Sequence, residues 1–169
     1  KMIQADDFTR PNGSKSLFPQ QGQGVESPDL SHRCAMISLL IVAHGNLGES
    51  LIQCATHVLG KRPEALEYLD LAACEDPSAM QQKAQDLLSG LDQGEGVLVL
   101  TDIYGATPCN TVCKLVSSGR VEAISGVNLP MLLKALTYRD QGMNTLLAKA
   151  VSGGQAGIFE IHAEQTAHA

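Results

Sequence analysis

Two apolar runs, each ending in a polar residue, constrain the fold of this chain more than any other feature. The first run covers residues 36–43 and ends at His44, which is followed by a glycine; the second covers residues 97–100 and ends at Thr101 and Asp102. Continuous apolar runs bounded in this way are typical of strands buried on both faces of a parallel sheet. Because open α/β sheets bind ligands beyond the carboxyl ends of their strands, His44 and Asp102 are the first candidates for a functional site.

Between and after these runs, segments with strand and helix periodicity alternate. This alternation predicts an α/β fold with a doubly wound, mainly parallel sheet. The purely apolar first and third strands should be central and the more polar second and fourth should flank them, so the expected order is 2-1-3-4. The chain then reverses direction between strands 1 and 3, which brings His44 and Asp102 to one crevice. The predicted strands cover residues 36–43, 66–71, 97–101 and 121–127, with a short last strand at 157–161.

Apolar residues at helical spacing and capping signals place five helices between and after the strands. Asp76 or Ser78 can cap the second helix, and Thr107 can cap the third, with proline in its first turn. Asn128 opens the fourth helix, and the two glycines at 153–154 are expected to stop the fifth. The expected buried face of the first helix consists of Leu47, Leu51, Ala55, Val58 and Leu59.

Composition bounds the function class. The chain has 169 residues, enough for one domain with a core, and its net charge of −6 argues against a nucleic-acid partner. No apolar stretch approaches the roughly 18 residues that a membrane span needs. Residues 1–35 are polar, lack periodicity and carry no signal-peptide core, so they are interpreted as a tag or disordered extension. Residues 36–169 form the predicted domain.

The cysteines favour a reducing compartment. There are five, at irregular spacing, in a chain large enough to bury its own core, which indicates free thiols in a cytoplasmic protein. Cys109 and Cys113 could share one helical face, although small apolar core residues are the favoured interpretation. The chain completes no zinc-binding pattern, and we expect no metal and no cofactor.

A histidine beside a carboxylate supports three chemistries. The carboxylate accepts the N–H of one ring nitrogen, and the other nitrogen keeps a lone pair that can take a proton, bind a metal or attack phosphorus. Acyl transfer would need a nucleophile; no G-x-S-x-G turn is present, and Cys109 is a weak candidate. Metal binding would need further ligands, but His57 lies off the apolar helix face, and His162 and His168 lie in the tail.

The loop after Asp102 favours a phosphate. Small residues at Gly105 and Ala106 allow close approach of backbone N–H groups, and Thr107 adds a hydroxyl. A helix begins there, and a second is expected to begin at Gly45, so two helix amino ends would face one imidazole. A structural histidine and a turn-capping aspartate remain the simpler alternatives. Neither a Walker A motif nor G-x-G-x-x-G is present, so nucleotide binding is not indicated.

Three motifs together resemble a known family. They are Val-Ala-His-Gly at 42–45, LTDIYGATPCN at 100–110 and SGVNLPMLLKAL at 125–136. In this order and spacing they resemble the A component (enzyme IIA) of the mannose family in the bacterial sugar phosphotransferase system, from residue 36 to about 161. The phosphotransfer subunit of dihydroxyacetone kinase fits less well, because it lacks the second and third motifs.

The resemblance implies roles for the site residues. His44 would accept phosphate, on the ring nitrogen away from Asp102, from the histidine-containing phosphocarrier protein. Asp102 would orient the imidazole, and Thr107 would contact the phosphoryl group. The residue pattern described above already places Gly45, Gly105 and Ala106 in the same phosphate pocket. The family loop often has Trp-Gly-Gly-Ser where this chain has Tyr-Gly-Ala-Thr, so the surface facing a partner could differ.

The resemblance also implies partners and assembly. The family forms homodimers that exchange an antiparallel fifth strand, here residues 158–161. No B domain follows in this sequence, so a separate B component would take the phosphate for sugar uptake, with the membrane involved indirectly through the transporter. A regulatory module, in which phosphorylation of His44 gates binding to a kinase or transcription regulator, is the alternative. A ligand-binding domain without transfer is a third interpretation.

Overall fold

A computed structural model describes residues 36–71 and 76–161. The interpretation of residues 1–35 as a tag, and the tail histidines 162 and 168, lie outside the described residues. Strands and helices alternate as predicted. The elements are β1 (Ser38–Ala43), α1 (Leu47–Leu59), β2 (Leu66–Asp70), α2 (Pro77–Leu91), β3 (Val97–Thr101), α3 (Thr107–Cys113), β4 (Val121–Ser125), α4 (Leu129–Tyr138) and α5 (Met143–Ala156).

The four strands form a parallel sheet in the order β2-β1-β3-β4, which confirms the predicted order. Every residue of β1 and β3 is buried, whereas β4 is only half-buried along its length. The two strands with purely apolar sequences are the buried central strands, and the strands with polar residues lie at the edges of the sheet.

Aliphatic side chains cover both faces of the sheet. On one face, Val42 and Val99 belong to a core cluster with Met80 and Ala84 of α2 and Val112 of α3. The other face carries α1, α4 and α5, which lie on the same side because α4 packs against both α1 and α5. Both faces of β1 and β3 are thus buried from solvent, and the polar residues that follow these strands lie at the edge of the core.

Capping residues fix the starts of α2 and α4 as the sequence indicates. The Asp76 carboxylate accepts hydrogen bonds from the N–H groups of Ser78 and Ala79, so Asp76 is the cap of α2 rather than Ser78. Asn128 caps α4 by accepting from the N–H of Met131 at 2.9 Å. Side-chain acceptors of this kind satisfy amides that have no partner inside the helix.

The structure corrects the predicted face of α1. Its buried residues are Gly48, Leu51, Ile52 and Ala55, whereas Leu47, Val58 and Leu59 are exposed. The buried stripe is centred between Leu51 and Ile52. Leu47 and Val58 fall at its edge, and Leu59 is the last residue of the helix.

The predicted start of α3 and end of α5 were also wrong. The cap of α3 is Ala106, and Thr107 is its first helical residue. Helix α5 continues through Gly153 and Gly154 to Ala156. A Cβ on Gly154 would lie 2.8 Å from the Met131 side chain of α4, so these glycines allow close helix packing instead of ending the helix.

Residues 157–161 follow α5 as irregular backbone in the described chain. The exchanged fifth strand and the dimer remain predictions. In the described ranges, none of the helices is long and apolar enough to cross a bilayer.

Candidate functional site

His44 and Asp102 meet at the carboxyl edge of the sheet. Val42 of β1 is in register with Thr101 of β3, and the two residues in question lie just past those strands. The imidazole Nδ1 lies 2.7 Å from Oδ2 of Asp102. The backbone N–H of His44 donates to the same oxygen at 3.0 Å. The two strand ends that the sequence singled out therefore form one cluster, as the predicted topology requires.

The Asp102 carboxylate is held by three donors. Besides the two groups of His44, the N–H of Ile103 donates to Oδ1 at 2.8 Å. The Asp102 side chain is only 9% exposed. Burial acts to raise the pKa of this carboxyl, but the hydrogen bonds from His44 and Ile103 and the nearby imidazole together bring the pKa below its ordinary value. The carboxylate is therefore ionised throughout the neutral range.

The opposite edge of the imidazole is accessible. An ionised carboxylate can only accept hydrogen bonds, so the short contact assigns the proton of neutral His44 to Nδ1 and a lone pair to Nε2. The His44 side chain is 52% exposed. Asp102 therefore fixes the orientation of the ring on its Nδ1 side, and the nucleophilic Nε2 lies on the side of the ring that another macromolecule can approach.

The loop from Ile103 to Ala106 joins Asp102 to α3. Gly105 adopts a φ of +81°, a left-handed conformation that glycine takes without strain. Ala106 caps α3 without any side-chain hydrogen bond, and the exposed Thr107 stands in the first helical turn. The N–H of Ala106 donates to the Ile103 carbonyl at 3.4 Å and Pro108 has no N–H, so the donors that this loop can offer an acceptor are the N–H groups of Gly105 and Thr107.

The fourth predicted pocket residue, Gly45, follows His44 directly. Its φ is +54°, and it belongs to a turn that closes when the N–H of Leu47 donates to the His44 carbonyl. Helix α1 therefore starts two residues later than expected, at Leu47. Gly45 bends the chain away from β1 so that the imidazole remains at the edge.

The sequence did not identify the backbone donors or Asn110. The N–H groups of His44 and Ile103 hold Asp102, and Asn110 donates from Nδ2 to the Gly105 carbonyl at 3.0 Å. Backbone donors carry no residue signature, so no sequence pattern could have identified them. Asn110 does have a signal, because it lies within the LTDIYGATPCN motif.

Other candidates lie away from this cluster. His57 is exposed on α1, as predicted. Cys109 is buried and 6% exposed, which agrees with a core role, whereas Cys113 is exposed and the core interpretation was wrong for it. Within residues 36–71 and 76–161, no group of three or more His, Cys, Asp or Glu residues is placed to hold a metal ion.

A family model described as "PTS system fructose IIA component" (EIIA-man) matches residues 38–151, a span that contains both strand ends and the loop. The chain belongs to this family. The match confirms the resemblance that the three motifs carried.

Individual relatives agree with the family match. The chain is 33% identical over 131 residues to the PTS system mannose-specific EIIAB component of Escherichia coli K12, covering 76% of this chain and 40% of that protein. It therefore spans well under half the length of that curated relative. A crystal structure of the phosphotransferase system component EIIA from Streptococcus agalactiae matches with a TM-score of 0.66 at 26% identity, covering 74% of this chain and 97% of that one.

A regulatory protein is also similar. The transcriptional regulatory protein LevR of Bacillus subtilis is 28% identical over 101 residues, which cover 59% of this chain and 11% of LevR. Domains like this one thus occur both in a sugar phosphotransferase component and within a transcriptional regulator.

Proposed function

We propose that this protein is a phosphoryl carrier for sugar uptake. In this proposal His44 accepts phosphate from the histidine-containing phosphocarrier protein and passes it to a B component in the cytoplasm. The 2.7 Å contact between Nδ1 of His44 and Asp102 carries the proposal, because it leaves Nε2 as an exposed nucleophile. Family membership supports the reaction class.

The proposed step is an exchange of one P–N bond for another. The lone pair of Nε2 attacks the phosphorus of a phosphohistidine on the carrier, whose ring is protonated on its other nitrogen. The bond from phosphorus to the carrier nitrogen breaks, and the carrier ring leaves as a neutral imidazole. The His44 ring becomes cationic because Nδ1 keeps its proton. Asp102, ionised and 9% exposed, stabilises that charge at short range and fixes the ring in the attacking orientation.

The phosphoryl oxygens need donors as charge spreads over them. The N–H groups at 105 and 107 and the Thr107 hydroxyl lie in the loop that Asp102 begins, and we assign them this role together with the turn at Gly45. This assignment requires neither a metal nor a cofactor. In this assignment the protein contributes only the positioning of the reacting groups and the stabilisation of charge.

Labelling tests the proposal directly. The protein is incubated with the phosphocarrier protein, its upstream kinase and labelled phosphoenolpyruvate, and acid-labile phosphate is mapped by mass spectrometry under neutral conditions. Label is expected on His44 and absent from His44→Ala. The matched control is His57→Ala, which removes another exposed histidine and should label normally. Full labelling of a folded His44→Ala protein would refute the assignment.

A regulatory output is the second candidate, and the similarity to LevR favours it. In that case His44 is still phosphorylated, but the charge on it controls binding to a kinase or transcription regulator. Identifying the acceptor separates the two functions. Transfer of label to a B component supports transport, whereas retained label with phosphate-dependent capture of a regulator supports regulation.

A further inference from the structure

Two thiols lie against each other in α3, the helix that begins at Thr107. Cys109 and Cys113 occupy α3, and their Sγ atoms are 3.9 Å apart. Residues four apart on a helix have Cβ atoms about 5–6 Å apart, beyond the roughly 3.5–4.5 Å that a disulfide spans, so closing the bond must distort the last turn of α3. Cys109 is buried, and Cys113 is exposed at the last residue of the helix. The exposed Cys113 thiol can therefore react with a reagent from solvent, and the buried Cys109 thiol lies next to it as the second reactant.

We propose that Cys109 and Cys113 are a redox pair whose disulfide changes the loop beside His44. The oxidant is a small-molecule disulfide such as oxidised glutathione. The Cys113 thiolate attacks one of its sulfurs, forming a mixed disulfide and releasing one glutathione thiolate. The Cys109 thiolate then attacks the Cys113 sulfur, closes the protein disulfide and releases the second glutathione. Two protein thiols are oxidised and one glutathione disulfide is reduced to two thiols.

Helix α3 links the pair to the loop. Asn110 lies between the two cysteines and donates to the Gly105 carbonyl at 3.0 Å. Closing the disulfide brings the sulfurs from 3.9 Å to bonding distance, which requires the final turn of a helix of seven residues to move. A shift of α3 is transmitted through Asn110 to Gly105, which belongs to the loop that begins at Asp102.

The thiol chemistry sets when the pair reacts. The hydrogen bond with Cys109 and, to a smaller extent, burial raise the pKa of the Cys113 thiol. The thiolate is the attacking species, so the pair stays reduced near neutral pH until a disulfide oxidant is abundant, and closure accelerates as pH rises.

Mass spectrometry tests closure. The protein, residues 1–169, is treated with oxidised glutathione, free thiols are blocked, and the protein is digested with trypsin. Cleavage after Lys83 and Lys114 gives the peptide 84–114, which contains Cys109 and Cys113 and no other cysteine. The peptide is expected to carry no blocking group and to be lighter by two hydrogens than the unmodified dithiol peptide. After reduction and a second blocking step, both thiols should be blocked. Persistent glutathione on Cys113, or two blocked thiols, would overturn the proposal.

Variants distinguish the pair from the other cysteines. Cys113→Ser changes an exposed residue and should leave Cys109 free and unreacted. Cys109→Ala keeps a small apolar side chain in the core and should leave Cys113 carrying glutathione. Cys54→Ser removes another exposed cysteine and should preserve closure. A disulfide between 109 and a third cysteine in the Cys113→Ser protein would also contradict a dedicated pair.

The effect on the site has its own measurement. The backbone amide signal of Gly105 in a ¹H–¹⁵N spectrum should shift on oxidation and return on reduction, and Cys113→Ser should abolish the shift. An unchanged Gly105 signal in a protein with the closed disulfide would overturn the link. The further expectation that oxidation slows phosphate acceptance by on the order of tenfold rests on the proposed function. If the reduced protein takes no label, the proposed function fails. The disulfide and the Gly105 shift are still tested by their own measurements, which do not depend on phosphate transfer.

Discussion

At the scale of single residues, one carboxylate oxygen serves two donors from the same histidine. Oδ2 of Asp102 accepts from both the backbone N–H and Nδ1 of His44, so the ring is fixed relative to its own backbone. Oδ1 is taken by the N–H of Ile103. An asparagine cannot accept on both of these atoms, because one position would become an NH₂ group facing a donor.

Asp102→Asn is therefore expected to slow phosphate acceptance by about a hundredfold or more. The neutral amide no longer stabilises the cationic ring that forms on transfer, and in either orientation its NH₂ group faces a backbone donor, the N–H of Ile103 or of His44, so the imidazole is held less firmly. Initial rates of labelling at saturating phosphocarrier measure the effect. Rates equal to those of the original protein would remove Asp102 from the mechanism.

The same contacts make a pH prediction about stability. The pKa of Asp102 is lowered in the folded protein, so its carboxylate stabilises the fold above the unfolded pKa, which is about 3.9. That contribution is lost as pH falls through the folded pKa. Urea unfolding at several pH values should give Asp102→Asn a constant stability deficit above about pH 5 that shrinks toward pH 3. A deficit that grows on acidification would contradict the assigned hydrogen bonds.

Thr107 allows a matched pair of substitutions. Thr107→Val removes the hydroxyl and keeps the shape, whereas Thr107→Ser keeps the hydroxyl. If the hydroxyl binds a phosphoryl oxygen, the valine variant should lose roughly tenfold to a hundredfold in acceptance rate, and the serine variant should stay within a few-fold. Both leave the backbone carbonyl that Thr111 uses at 2.9 Å intact. Equal rates in the two variants would place the phosphate contacts on backbone amides alone.

At the scale of elements, the sequence predicted the existence and order of strands and helices better than their ends. β3 and the capped start of α2 were predictable because apolar runs and an Asp-Pro cap are local signals. The passage of α5 through Gly153 and Gly154 was not, because its cause is the approach of α4, a contact between helices. For the site, residue types at the strand ends were predictable and the amide donors were not, since they depend on backbone direction.

Gly48 shows how tightly the α1 layer meets the sheet. A Cβ at this position would lie 2.8 Å from the Cβ of Tyr68 on β2. Gly48→Ala is expected to lower the free energy of unfolding by about 1–3 kcal/mol, because the atoms that it would meet, Cβ of Tyr68 and Cγ2 of Ile41 at 3.4 Å, are not the far ends of flexible side chains. Urea denaturation monitored by circular dichroism measures the change.

The control for Gly48 is another helical glycine. Gly90 lies in α2 with open space around its would-be Cβ, so Gly90→Ala should leave stability equal or raise it by about 0.4–1 kcal/mol. Destabilisation of both variants to the same extent would show that alanine is disfavoured at these positions for reasons other than packing against β2.

At the scale of the whole molecule, two features support the predicted strand exchange. β4 is an edge strand of the sheet and is half-buried throughout. After α5, the side chains of Ile158, Phe159 and Ile161 are between 62% and 76% exposed. An available strand edge and an exposed apolar segment in one chain favour pairing between two copies, because each would cover the other.

Phe159→Ser is therefore expected to weaken the dimer. Sedimentation velocity across a concentration series should show the original protein at twice the monomer mass and the variant shifted toward the monomer. Val58→Ser is the matched control: Val58 is also an exposed apolar residue, but it lies on α1, which packs against β2 at the other edge of the sheet. If both variants stay dimeric, residues 158–161 do not hold the subunits together; if the original protein is monomeric, the exchange is absent, and the phosphate chemistry at His44 would then be a property of one chain.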